Sequence, residues 1–262
     1  MMKILATILA LGLMGTAQAQ TSADTVLDCM RANLPPSLRI QDIELTTTDR
    51  AGASRVLKGR VYGQQEKSAS GNQVRAMLRV TAPDNLAGAS FLIREARQYA
   101  DEGLYVWLPS VRRVRRVSGE FADGALLGTD FSYNDFKQLQ NAFGGFSAAQ
   151  LDPETVAQRP AWVLSFKPVP DAKSAYTEVR TWVDQKTCVP LKTDFYEAGK
   201  LRKQLSVTVE AIKRIDNYWY PAIVEMNDLD SGSRSTLRVL GVQPDDKLAS
   251  RHFNPKLFYM PG

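Results

Sequence analysis

The sequence predicts a mainly β, α+β fold in which a meander of antiparallel strands closes toward a barrel. Three observations carry this expectation. Runs of alternating apolar and polar residues recur along most of the chain, as half-buried strands require. The runs follow one another closely, separated by turn residues rather than by long helical stretches. Only two segments, 24–33 and the stretch that begins at Asp130, are spaced for helices.

At the N-terminus, Lys3 and the apolar run 4–14 precede Ala17-Gln18-Ala19, the small-x-small pattern of a cleavable export signal. Residues 1–19 are therefore expected to be removed, leaving 20–262 as one soluble domain in the periplasm. The apolar run is shorter than the ~20 residues that a bilayer-spanning helix needs. No cysteine follows the cut closely enough to carry a lipid anchor. Segment 24–33 reads as a short helix, with Asp24 as N-cap and Val26, Leu27 and Met30 on one face. Leu34-Pro35-Pro36 ends it, because a residue before proline is pushed out of helical angles.

Strand-like runs follow. Ile43, Leu45 and Thr47 alternate with polar neighbours, and Leu57, Gly59 and Val61 oppose Val56, Lys58, Arg60 and Tyr62. In 74–81, Val74, Ala76, Leu78 and Val80 face one way and Arg75, Met77, Arg79 and Thr81 the other. That is the pattern of a strand with arginine in solvent. Further runs are 89–95, 104–108, 111–118, 162–167, 178–184, 191–196, 201–210, 219–227 and 236–242. Glu197-Ala198-Gly199-Lys200 supplies a hairpin turn. The pattern breaks over 121–159. There Ser132 and Asp135 occupy capping-box positions, Phe136, Leu139 and Phe143 share a face, and Gly144-Gly145 stops the helix. This helical insertion is expected to form a lid over a concave sheet.

A hydrophobic content of 44% suffices for a core. The net charge of +5, or +4 once Lys3 is lost, is too mild to indicate nucleic acid and is compatible with a surface that meets anionic lipid. Cys29 and Cys188 are the two cysteines. An oxidising compartment favours a disulfide between them, the alternative being two separately buried thiols. His252 is the single histidine, so a Cys–His metal site lacks ligands.

The GxSxG, Walker A, HExxH, CxxC and GxGxxG motifs are missing. His252 reads as a surface or capping residue rather than a general base, and no catalysis, cofactor or metal is expected. The most unusual local feature is Arg112-Arg113-Val114-Arg115-Arg116. On a strand, Arg113 and Arg115 would leave one face and Arg112 and Arg116 the other. Planar guanidinium groups suit carboxylates and phosphates. Pairing with Asp130 and Asp135 would pin the helical segment; an anionic headgroup or an acidic partner is the alternative. Tyr105, Trp107, Trp162, Phe166, Trp182, Phe195 and Trp219 all fall in strand-like runs. They either form ordinary core or line a cavity for an apolar ligand.

Several strings occur together: Arg50-Ala51-Gly52 with Leu57-Lys58-Gly59-Arg60, Tyr105-Val106-Trp107-Leu108-Pro109 with the arginine cluster, and Gly128-Thr129-Asp130-Phe131-Ser132-Tyr133-Asn134-Asp135-Phe136. With Trp182-Val183-Asp184 and Leu191-Lys192-Thr193-Asp194-Phe195-Tyr196, they resemble the outer-membrane lipoprotein-sorting proteins of the LolA-like superfamily over about 40–260. The resemblance implies a strongly curved antiparallel sheet of about eleven strands, an incomplete barrel whose concave face is covered by helices. It implies a carrier that shields a lipid or lipoprotein acyl chain, with an RND/MMPL-type exporter as partner. A related fold serves stress-sensing regulators, so a protein–protein module, either a stress sensor or a transporter accessory subunit, is the second expectation. Candidate ligand or partner residues are Arg112, Arg113, Arg115, Arg116, Trp107, Phe131, Tyr133 and Phe136.

Overall fold

The computed structural model describes residues 22–34, 38–68, 71–96, 102–142, 145–172, 174–245 and 250–260. The expected signal peptide 1–19, and with it the cleavage site, lies outside the described residues, as do Phe143 and Gly144. Helix α1 spans Ala23–Arg31. Its N-cap is Ser22, whose hydroxyl accepts from the Thr25 N–H at 3.2 Å, so Asp24 falls in the first turn rather than at the cap. Val26, Leu27 and Met30 are buried as their spacing predicts.

Strands follow in order: β1 Leu38–Thr48, β2 Ser54–Ser68, β3 Gly71–Ala82, β4 Ser90–Arg94, β5 Gly103–Leu108 and β6 Arg113–Arg116. After helix α2, Tyr133–Leu139, come β7 Phe146–Val156, β8 Arg159–Pro168, β9 Tyr176–Asp184, β10 Pro190–Glu197 and β11 Lys200–Val207. The chain ends with β12 Ile212–Ile215, β13 Tyr218–Pro221, β14 Ile223–Asp228 and β15 Ser233–Asp245. Thirteen of these form one antiparallel sheet in the order β6-β5-β4-β3-β2-β1-β15-β14-β11-β10-β9-β8-β7, and β12 pairs with β13 as a separate ribbon. The sheet is curved and does not close, leaving β6 and β7 at its edges. The expected eleven strands are thus thirteen.

The differences have local causes. Residues 146–156 belong to the edge strand β7, not to a helical lid, so the insertion shrinks to the turns and helix over 119–139. Pro153 hides this strand in the sequence; it is tolerated because it lies at an edge, where the register shifts between Leu151 and Glu154. The run 219–227 breaks at Ala222 into β13 and β14, and only 113–116 of the run 111–118 is strand.

One core cluster joins α1 and α2 to the inner face of the sheet, including Met30, Ile43, Val61, Phe136, Phe195 and Met226. The four residues Val74, Ala76, Leu78 and Val80 all face it, at most 2% exposed. Their opposite face is not in solvent, contrary to the sequence reading. Met77, Leu92 and Tyr62 are buried there beneath Phe253 and Phe258. Arg79 Nη2 donates to the carbonyl oxygens of Phe258 (2.9 Å) and Met260, and buried Arg75 donates to the Glu95 carbonyl. The C-terminal segment therefore covers the outer face near β3–β5. His252 is buried in it and stacks on Tyr62 at 4.7 Å, rather than lying at the surface.

The disulfide between Cys29 and Cys188 is present, with Cα atoms 5.6 Å apart, and ties α1 to the β9–β10 turn.

Candidate functional site

The site is built around α2 and the chain that leads into it. Asp130, 8% exposed, accepts hydrogen bonds from the hydroxyls of Ser233 and Ser235 on β15, the latter at 2.7 Å. Its own N–H donates to Ser235 Oγ at 3.0 Å. Lys203 on β11 donates to the Asp130 carbonyl at 2.8 Å and to Asp135 Oδ2 at 3.4 Å. The capping box forms as predicted: Asp135 N–H donates to Ser132 Oγ and Ser132 N–H to Asp135 Oδ2. At the other end of the helix, Lys137 pairs with Glu102 at 2.9 Å, both nearly buried, and Asn141 Nδ2 donates to the Met30 carbonyl. Burial pushes the Glu102 carboxyl above its usual range, against the pull of Lys137.

These anchors hold α2 over the inner face, beside a partly open cavity of about 80 Å³. Its walls are apolar along the sheet, from Ile43, Val61, Phe195, Leu205, Val224 and Leu237, with Phe136 and Leu139 contributed by α2. Its other end is polar, with Asn33, Arg39 and Gln41 facing Gln138, Gln140 and Asn141. Trp219 and Tyr220 of the β12–β13 ribbon border this end, and the Trp219 N–H donates to Asn33 Oδ1 at 2.9 Å. Burial pulls the Arg39 guanidinium down to about 10, and Tyr220 is pushed up by burial against the opposing effect of Arg39. Gly63 on β2 makes room for the end of α2: a Cβ there would lie 3.4 Å from Leu34 Cδ2 and 3.7 Å from Gln140 Oε1. Ligand pockets run to about 300–1,000 Å³, so a long chain enters only if α2 moves.

Of the residues singled out in the sequence, Phe136 lines this cavity. Phe131 is buried in the core beside it, and Tyr133 packs on Phe91 at 5.7 Å with its hydroxyl pushed up by burial. Trp107 lies on the outer face, stacked on Tyr259 at 4.0 Å. The arginine cluster lies on the edge strand β6 and the turn before it, where Arg112 has φ 51°. Arg112, Arg113 and Arg115 are exposed and form no ion pair among the described residues. The expected pairing with Asp130 and Asp135 does not occur, since Ser233, Ser235 and Lys203 serve those acids. Arg116 donates to the Glu102 carbonyl and lines a separate recess of about 230 Å³, whose walls mix Glu102, Asn134 and Lys137 with Leu104, Val117 and Ala122. Missed in the sequence were Arg39, Gln41, Gln138 and Gln140. The alternation that continues from Ile43 back to Gln41 and Arg39 was the available signal.

The model of a family described as an uncharacterized protein matches residues 72–258. No curated protein matches the sequence significantly. Among solved structures, a DUF1329 family protein from Desulfovibrio piger is 19% identical, with a TM-score of 0.76 over 88% of this chain and 96% of that one. A candidate outer membrane lipoprotein-sorting protein domain from Vibrio parahaemolyticus is 21% identical, with a TM-score of 0.77 over 90% of this chain and 97% of its own. A LolA superfamily protein from Nitrosomonas europaea is 21% identical, with a TM-score of 0.68, 90% of this chain and 98% of the other being covered. At these identities the likeness establishes the fold.

Proposed function

Because the chain belongs to the family of uncharacterized proteins matched over 72–258, and has the LolA-like fold, we propose that it is a non-catalytic periplasmic carrier or acceptor of an acyl chain. The observation that carries this reading is the cavity between α2 and the inner face, apolar along the sheet and bordered by a short helix on separable polar anchors. Each methylene moved from water into such walls gains ~0.8 kcal/mol, so about ten of them supply roughly 8 kcal/mol. That is comparable to the loss of two or three anchoring hydrogen bonds at about 1–3 kcal/mol each, so a chain can displace part of the anchoring set and not all of it. Binding with partial displacement of α2 is therefore energetically accessible.

The test is native mass spectrometry, with lipid extraction, on protein purified gently from the periplasm. A defined stoichiometric lipid adduct is expected. Clean protein that also excludes fluorescent acyl probes refutes the carrier reading.

A second reading concerns partners. The edge strand β6 presents Arg113 and Arg115 to solvent, and Phe121 nearby in sequence is 83% exposed. Such an edge suits an acidic docking surface, and an RND/MMPL-type exporter is the partner we propose for it. In vivo crosslinking from positions 113 and 115 should capture a membrane protein; capture of none argues against the pairing.

A further inference from the structure

The polar end of the cavity holds groups that the apolar walls do not explain. Arg39 is 8% exposed and forms no ion pair among the described residues. Its Nη1 donates to the Asn33 carbonyl at 3.3 Å, and its Nε has no hydrogen-bond partner among the described residues. Among the described residues, Gln138, 7% exposed, leaves both amide atoms without a partner, and Gln140, 6% exposed, leaves its Oε1. Arg39 and Gln140 meet at one glycine, and Gln138 lines the same cavity. Arg39 stands opposite Gly63 in the β1–β2 register, and Gln140 Oε1 lies against Gly63. Asp135 also lines the cavity, but Lys203 bonds it, so Arg39 is the charge left without a counterpart. A buried ion is normally paired or neutralised. With its pKa at about 10, Arg39 stays protonated at neutral pH.

The inner face of β1 runs from Arg39 and Gln41 to Ile43 and Leu45, polar to apolar along one strand. We propose that the cavity takes an anionic amphiphile, with a carboxylate or phosphate head on Arg39 and its chain along the apolar walls. The proposal deepens the carrier reading and rests on it. Arg39 Nε, carried by the sheet, would donate to the head oxygens, and the Gln138 amide N–H would join it where the end of α2 stays seated. The amide oxygens of Gln138 and Gln140 would accept from a hydroxyl on the head.

The test is displacement of a fluorescent acyl probe from the purified protein by dodecanoate, dodecyl phosphate and dodecanol. Acetate and inorganic phosphate, measured by calorimetry, serve as anions without a chain. Charge-assisted hydrogen bonds predict that both acids bind at least about tenfold more tightly than the alcohol. The chainless anions should not bind measurably. Within Arg39→Gln the acids should bind no more tightly than the alcohol, and Gln138→Leu should reduce the preference in part. Equal binding of acids and alcohol by the unaltered protein overturns the head-group assignment and leaves the carrier reading standing. Binding of no chain at all overturns the carrier reading itself. Tight binding of inorganic phosphate or acetate overturns the amphiphile in favour of a small-anion site. The head-group comparison is made within the unaltered protein, so a folding defect in Arg39→Gln would not blunt it.

Discussion

Replacing Asp130 with alanine removes the side-chain half of the clasp between the α2 segment and β15, leaving the main-chain N–H of residue 130 on Ser235. Two hydroxyls, of Ser233 and Ser235, donate to its carboxylate, and hydrogen bonds to a charged group are worth about 1.5–3 kcal/mol each. Part of this returns in the variant. Ser235 keeps its bond with Thr47 Oγ1 at 2.8 Å, Ser233 keeps Ser231, and no buried carboxylate remains to be desolvated. A net loss of about 2–3 kcal/mol is expected, which is roughly 30- to 150-fold in an opening equilibrium. If α2 opens as a unit while the sheet stays paired, that factor falls on the segment alone. Hydrogen exchange read by mass spectrometry should accelerate over 129–142 and not over β1–β3, and uptake of an acyl probe should quicken in parallel. Uniform destabilisation, with exchange over 129–142 tracking the sheet and probe uptake unchanged, would show that the segment is a fixed part of the core and no lid.

Three other expectations can be checked on the same protein. The disulfide closes a loop with a sequence separation of 159 residues, for which chain entropy gives about 5 kcal/mol. Urea unfolding of Cys29→Ser/Cys188→Ser should show most of that loss, and a change under about 1 kcal/mol would mean the unfolded chain is already compact there. Burial raises the Asp184 carboxyl, but hydrogen bonds from Arg159 and Thr187 outweigh it and hold the carboxyl below its usual range. The stability it contributes is present above the unfolded-state value of about 3.9 and is lost as pH falls through the lower folded value. Asp184→Asn should therefore be less stable at pH 7 and flatter in its acid dependence; parallel pH profiles would contradict this. Reversing Arg113 and Arg115 to glutamate should change stability by no more than about 0.5 kcal/mol, as surface positions usually do. A loss of crosslinking without a loss of stability assigns the edge to docking, whereas a large loss of stability would make it structural.

The elements legible in the sequence are those whose cause is local. The alternation of 74–81, the Ser132–Asp135 capping box and the 197–200 turn all appear in place, because each depends on residues within a few positions of one another. The inward set Val74, Ala76, Leu78 and Val80 followed from the period-2 geometry of a strand. Periodicity says which residues share a face, but not what covers that face. Hence Arg75 and Arg79 were read as solvent-facing, although a segment more than 170 residues away along the chain lies over Arg79. The same segment marks the outer face at Trp107, through the stack with Tyr259. Asp130 finds its partners 103 and 105 residues on, and no local pattern distinguishes those serines from the arginines beside the helix. The polar end of the cavity belongs to the same class. Arg39 sits on β1 and Gln138 and Gln140 sit at the end of α2; only the curvature of the sheet and the anchoring of the helix bring them to one space. What the sequence by itself determined was strand, turn, cap and the chemistry of the disulfide. What the tertiary structure decided was which buried charge goes without a partner, because desolvation is set by everything packed around a group and not by its neighbours in the chain.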